Sequence, residues 1–355
     1  MAVFSSFISY QKKKKRKTKE VPIPSVEDAY KFCKFELNPD GSLTRLPCPL
    51  PSVPAISEID PDNPTGITAF SRNIPLNPQN KTYIRLFRLR NAPQRTKLPL
   101  IISFHGSGFI WCGPDAIIYT ELSNRMAAHT PAVIAAVGHR LSPEHRLPAA
   151  YDDAVEAIDW ARSQALAAAA GGRGACDPWM LELADFSRVF LMGLGSGGNI
   201  IYHAGMRALD LDLEPLKIAG LIINQPFFGG LERTESEINY ASDPVMPLHV
   251  TDLMWSLALP DGADRGHEYC DPSNVGLHGD KIGRLPRTVV RAYEGNPMFD
   301  RQKEFVKMLN ARGVHVLPQF MEGGGYHAAD VIEPIFAHAL YDHVRDFVSS
   351  TYYRC

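Results

Sequence analysis

The sequence predicts an α/β fold with a mostly parallel central sheet and helices on both faces. Two observations predict it. Short apolar, β-branched runs alternate with helical segments through most of the chain. One of those runs, Val189-Phe190-Leu191-Met192, passes straight into a glycine-rich turn and then into a helical stretch. With 355 residues, 45% of them hydrophobic, the chain is long for one domain, yet α/β folds of this size keep a single core. The expected organisation is a basic tail over 1–24 and one domain over 25–352. Segments of about 25–65 and 226–275, which break the alternation, form a cap.

The elements follow in order. Residues 82–90, 98–104 and 132–137 are apolar or β-branched runs bounded by Pro and polar residues, and read as three strands preceding the first long helix. That helix starts after Pro148, where Ala150, Ala154, Ala157 and Ile158 fall on one face. Val189–Met192 is the strand before the glycine turn, and the chain from Asn199 to Ala204 continues as helix. Further strands are predicted at 218–223, 288–293 and 314–320, with helices over 301–312 and 334–352. No internal repeat is present.

The formal net charge is -2, which argues against a nucleic-acid or membrane-surface partner for the folded body. No apolar run reaches the roughly 18 residues that a membrane span needs, and the N-terminus lacks a secretory pattern. The expected location is the cytoplasm. The run Lys12, Lys13, Lys14, Lys15, Arg16, Lys17 reads first as a solvated tail and second as a nuclear-import signal. The cysteines Cys33, Cys48, Cys112, Cys176, Cys270 and Cys355 include no Cys-x-x-Cys pair and no histidine at metal-ligand spacing, so they read as reduced thiols with no metal and no cofactor implied. The expected partner is a small molecule, on a monomer or homodimer.

The turn reads Gly193-Leu194-Gly195-Ser196-Gly197-Gly198-Asn199. A nucleophile elbow, Gly-x-Ser-x-Gly, needs small residues two before and two after the nucleophile, because strand turns into helix too sharply for larger side chains. Gly193 and Gly197 fill those places, so the nucleophile slot falls on Gly195. The rival register, with Ser196 as nucleophile, puts Leu194 where only a small side chain fits.

Around this turn lie His105-Gly106-Ser107-Gly108-Phe109; Arg140-Leu141-Ser142-Pro143-Glu144-His145 with Pro148-Ala149-Ala150-Tyr151-Asp152-Asp153; and Gln225-Pro226-Phe227-Phe228-Gly229-Gly230. Asp252-Leu253-Met254-Trp255, Gly295-Asn296-Pro297 with Asp300-Arg301-Gln302, and Gly325-Tyr326-His327-Ala328 follow. In this order the motifs resemble those of plant carboxylesterases of the hormone-sensitive-lipase group within the α/β-hydrolase superfamily, over roughly residues 25–350. The resemblance implies an α/β-hydrolase fold and a Ser-His-Asp triad. It puts the catalytic base at His327, the lost nucleophile at Gly195 and the acid at Asn296, where members carry Asp. It also implies an oxyanion hole of the backbone N–H groups of Gly106, Ser107 and Ser196. Ser107 stands where the family has glycine, and its hydroxyl is expected to narrow the hole or add a donor. Gly138-His139 stands where the family has Asp-Tyr.

An amide at position 296 cannot offset the charge of an imidazolium. Asp300 could replace it only in a rebuilt loop. Loss of a triad nucleophile costs on the order of a millionfold in turnover, which makes acyl-enzyme chemistry the poorer reading. Three functions stay open. The first is a non-hydrolytic enzyme in which His327 and the oxyanion hole support elimination, isomerisation or cyclisation of a small apolar carbonyl or ester compound. The second is a carboxylic ester hydrolase using Ser196 or an activated water. The third is a non-catalytic receptor of the gibberellin-receptor type, which the resemblance also includes. Phe109, Trp111, Phe227, Phe228, Met254, Trp255 and Tyr326 are the expected substrate-binding residues.

Overall fold

The computed structural model describes residues 25–58, 68–93, 95–172 and 175–350. The basic run at 12–17 and the end of the N-terminal segment, 59–67, lie outside the described residues. The chain opens with helix α1 (Val26–Phe32), closed by a reciprocal capping box between Ser25 and Asp28, and a small hairpin of β1 (Phe35–Leu37) and β2 (Leu43–Arg45). Then come β3 (Ala69–Asn77), β4 (Thr82–Leu89), β5 (Leu98–Phe104), α2 (Ile117–His129), β6 (Val133–Gly138) and α3 (Ala149–Ala169). The second half holds α4 (Pro178–Leu183), β7 (Ala184–Leu194), α5 (Ser196–Ala208), β8 (Ile218–Asn224), α6 (Glu235–Asn239), α7 (Leu248–Ala258), β9 (Thr288–Tyr293), α8 (Phe299–Ala311), β10 (Val316–Met321), α9 (Ala329–Ile332) and α10 (Pro334–Ser349).

Eight strands form the main sheet in the order β10-β9-β8-β7-β5-β6-β4-β3. The pairs from β10 to β6 are parallel, and only β4 runs against its neighbours. Alternate residues of each strand face opposite sides. Leu100, Ile102, Leu191 and Ile223 join a core with α3, α5 and α8, while Ile101, Phe190, Ile222 and Val289 pack against α2 and α10. Burial on both faces explains why these strands read as unbroken apolar runs.

Two elements differ from the sequence expectation. A helix, α2, lies between β5 and β6, so the first long helix precedes the third of the expected strands. The parallel pairing of β5 with β6 demands such a crossover. Strand β3, unmarked by an apolar run, forms the edge of the sheet by pairing antiparallel to β4.

The turn after β7 is set by close backbone packing. A Cβ at Gly193 would collide with the carbonyl of Gly197, and one at Gly197 with the carbonyl of Phe104 at the end of β5. Helix α5 therefore starts in contact with two strands, and Gly195 between them takes φ 54° and ψ -117°. Its N–H donates to Asn224 O at 3.0 Å and its carbonyl accepts from Phe227 N–H at 2.9 Å, tying the turn to the end of β8. The variants Gly193→Ala and Gly197→Ala are expected to yield little soluble folded protein. Gly195→Ala, which meets a backbone conformation that costs side chains about 1–3 kcal/mol but no collision, is expected to fold with a lowered denaturation midpoint. Equal midpoints for Gly197→Ala and the native chain would overturn this account of the turn.

Candidate active site

Gly195 faces His327. A Cβ placed on Gly195 would lie 3.3 Å from His327 Nε2 and 3.8 Å from the Cα of Gly106, so the elbow, the loop after β5 and the loop before α9 converge on one point. Ser196 is 1% exposed and its Oγ accepts the Phe109 N–H at 3.3 Å. Among the described residues it has no bond to His327.

The loop after β5 is bent by three successive residues with positive φ, Ser107 at 99°, Gly108 at 62° and Phe109 at 68°. Ser107 Oγ donates to Trp111 O at 2.5 Å. That bond turns the hydroxyl along its own loop and away from the role of extra donor expected of it. Neither Ser107 nor Ser196 has a protein acceptor for its backbone N–H among the described residues, which leaves both available to an oxygen beside Gly195.

The second turn, Gly295-Asn296-Pro297, follows β9, and Asn296 is fully buried. Its Oδ1 accepts the Met298 N–H at 3.0 Å, so its amide nitrogen is the atom turned to Gln225 Oε1 at 3.1 Å and to His327 Nδ1 at 3.2 Å. Gln225 is held in turn: Nε2 donates to Asp330 Oδ2 at 2.7 Å and Oε1 accepts the Ala328 N–H at 3.3 Å. These partners fix both amides. A donor facing Nδ1 makes that nitrogen an acceptor, and the proton of the neutral ring then sits on Nε2, toward Gly195. Burial lowers the His327 pKa to about 4, and the negative charge of Asp330 opposes this only in part.

Gln225 and Asp330 were not marked by the sequence, since Gln225 only opens the apolar motif after β8 and Asp330 sits three residues past the histidine. Asp330 also accepts from Asn224 Nδ2 at 2.8 Å and from Tyr293 Oη, and pairs with Arg291 at 3.4 Å. Asp300 is directed elsewhere: it accepts the Ser236 N–H at 2.8 Å and pairs with Lys303 at 2.7 Å.

A cavity of about 380 Å³ opens beside Gly195 and His327. Trp111, Phe227 and Met254 line it, as do Phe32, Pro49 and Leu50 of the N-terminal segment. Phe109, Phe228, Trp255 and Tyr326 do not line it, contrary to the sequence expectation. Phe109 and Trp255 pack behind the wall, where Trp255 stacks on Phe227 at 4.6 Å. Phe228 packs on Phe305 at 4.7 Å, and Tyr326 Oη donates to Glu333 at 2.7 Å. Apolar spacing marks these side chains as buried but not which side of the wall they occupy.

Sheet order, elbow and converging loops define an α/β-hydrolase fold. The alpha/beta hydrolase fold family matches residues 101–329. The Arabidopsis thaliana probable carboxylesterase 8 is 45% identical over 333 residues, 93% of this chain and 96% of that one. A 3-O-acetylpapaveroxine carboxylesterase of Papaver somniferum is 40% identical over 328 residues, 90% of this chain and 97% of the relative. The gibberellin receptor of Oryza sativa subsp. japonica is 33% identical over 268 residues, 75% of this chain and 71% of the receptor. An esterase of Pyrobaculum calidifontis shares the fold with TM-score 0.65 at 20% identity, covering 81% of this chain and 86% of that one. The chain belongs to the plant carboxylesterases of the hormone-sensitive-lipase group. No helix among the described residues is long and apolar enough to cross a membrane.

The buried rings predict an acid-labile fold. The folded pKa of His327, about 4, lies below the ordinary 6.5, so the unfolded chain takes up the proton first as pH falls. Stability is unaffected above pH 6.5 and declines from there to about pH 4, by on the order of 3 kcal/mol for this ring. His105, lowered to about 3 chiefly by burial, extends the decline. Urea denaturation at several pH values should show the native chain losing more stability over this window than His327→Gln. Parallel curves for the two would refute the assignment.

Proposed function

We propose that the protein binds a small apolar carbonyl or ester compound in the cavity beside Gly195 and acts on it without forming an acyl-enzyme. The observation that carries this is the amide of Asn296 donating to His327 Nδ1. In a working triad a carboxylate accepts the Nδ1 proton, which leaves Nε2 free to take the proton of the serine and stabilises the imidazolium that results. Here the polarity of that bond is reversed, and Gly195 offers no hydroxyl. Nε2–H is a hydrogen-bond donor aimed at the place where a carbonyl oxygen or leaving group would sit.

A neutral imidazole in that position can polarise a carbonyl, as in isomerases that keep a neutral histidine as electrophile. The backbone N–H groups of Gly106, Ser107 and Ser196 would hold the charge that develops on the oxygen. Of the roles open to His327, the network favours a neutral hydrogen-bond donor over a base. Elimination or isomerisation through a carbonyl that Nε2–H polarises as a hydrogen-bond donor matches it better than hydrolysis through Ser196, whose hydroxyl is engaged with Phe109. Residues 25–58 and 226–275 act as the cap that selects the compound by shape and apolarity.

A receptor reading has one specific observation in its favour. Helix α1 packs against α7, and Phe32, Pro49 and Leu50 line the cavity, so an N-terminal lid over a ligand, with no chemistry, also fits the geometry.

The test is hydrolysis of short-chain p-nitrophenyl esters by the native chain, Gly195→Ser, and the double variant Gly195→Ser with Asn296→Asp. The native chain is expected to show no burst and a rate close to buffer. The double variant should rise on the order of 10⁴-fold or more, and Gly195→Ser alone should stay at least about 100-fold below it, because Nδ1 still faces a donor. A native chain that already hydrolyses with a burst would defeat the proposal.

A further inference from the structure

Cys48 and Cys112 are 64 residues apart in sequence, yet their Sγ atoms lie 3.2 Å apart. Both are free thiols, with Cys48 exposed and Cys112 half-buried. They share the wall of a surface cavity of about 290 Å³, distinct from the one beside Gly195, which gives a small oxidant access to both sulfurs. Cys112 also lines the larger cavity, so it stands in the partition between the two. The chain around it is pinned: Cys112 has φ 61°, and the residue before it, Trp111, donates from Nε1 to Cys33 O at 2.6 Å and accepts from Ser107 Oγ at 2.5 Å.

We propose that Cys48 and Cys112 are a redox modification site, oxidised by a hydroperoxide to a disulfide that ties the N-terminal segment to the oxyanion loop, and reopened by a small-molecule thiol. Cys48 is the attacking sulfur. Its pKa is lowered, first by the hydrogen bond from Cys112, with further contributions from the backbone N–H groups of Leu50 and Cys112 and the charge of Arg45, whereas that of Cys112 is raised. The Cys48 thiolate attacks the peroxide, breaking the O–O bond and giving a sulfenic acid and hydroxide. Cys112 sulfur then displaces the sulfenic oxygen, which leaves as water with the Cys112 proton, while the proton that Cys48 shed on ionising neutralises the hydroxide, so two thiols and one hydrogen peroxide become one disulfide and two waters. Exchange with two equivalents of a small thiol returns both cysteines and releases the small disulfide. Pro49 and Leu50 follow Cys48 directly and line the larger cavity, so the bond would hold that part of the wall against the loop carrying Ser107.

The experiment treats the full chain with hydrogen peroxide, then counts thiols under denaturing conditions and maps peptides without reduction. The native chain should lose two thiols to one intramolecular link between the Cys48 and Cys112 peptides, regained with glutathione. Cys112→Ser should accumulate a sulfenic acid at Cys48 that dimedone traps, and Cys48→Ser should leave Cys112 unmodified under the same dose. Hydrogen exchange over residues 48–52 should slow on oxidation of the native chain and not of either variant. Absence of the Cys48–Cys112 link, or a sulfenic acid first appearing on Cys112, overturns the proposal.

Discussion

The contact on which the site depends is the approach of Gly197 to the carbonyl of Phe104. It lets α5 begin against the ends of β5 and β7, which no side chain larger than hydrogen would permit. From that contact follow the unusual backbone angles of Gly195, the position of the Ser196 N–H at the first turn of α5, and the 3.3 Å separation between a Cβ at Gly195 and His327 Nε2. The geometry of a nucleophile elbow is thus kept by glycines on either side of the slot, independently of what the slot contains. Glycine in that slot takes these angles without strain, since it alone accepts them without cost.

A second constraint, electrostatic this time, governs what His327 can do. Charge has not left the site: Asp330 is fully buried three hydrogen bonds away in the network, but it is paired with Arg291, is linked to the histidine through the amides of Gln225 and Asn296, and offsets the burial of the ring only in part. Amides pass on hydrogen-bond direction and not charge. The ring therefore receives a fixed tautomer without a counter-ion, and burial keeps it neutral. A single buried carboxylate at Nδ1 would supply both effects; around His327 they are separate, with the Asn296 amide supplying the orienting one.

How much of this was legible in the sequence depended on the range of the interaction involved. Strands β5, β7, β8 and β9 were legible because burial on both faces makes them continuous apolar runs. Helix α2 was not: its cap position is Ala116, with no side-chain bond, and its buried face includes Tyr119, Thr120 and Ser123, which blur the apolar period. Strand β3 contains Arg72, Asn73 and Pro75 and shows no strand pattern. In the site, Gly195, Asn296 and His327 were legible from their motifs. The partner that sets the histidine tautomer, Gln225, and the contact between Cys48 and Cys112 join positions tens of residues apart, and no local pattern announces them. The division of Phe109 and Trp255 from Phe227 and Met254 likewise depends on which side of a wall each occupies.

The N-terminal segment is attached to the site in a way that bears on any ligand. Arg45 on β2 donates to Ser142 O at 2.6 Å and to the carbonyl of Ile110, and forks onto Glu144. Trp111 Nε1 reaches back to Cys33 O. Two of these bonds, Arg45 to Ile110 O and Trp111 Nε1 to Cys33 O, join the segment to the loop that carries Ser107, whose N–H faces the space beside Gly195. Hydrogen bonds of this kind transmit displacement better than apolar contacts, which slide at little cost, because each has a narrow range of distance and angle. A displacement of residues 25–58 would therefore be felt at the loop that carries Ser107. Under the proposed function, recognition by the apolar wall and polarisation of a carbonyl would be coupled through this loop.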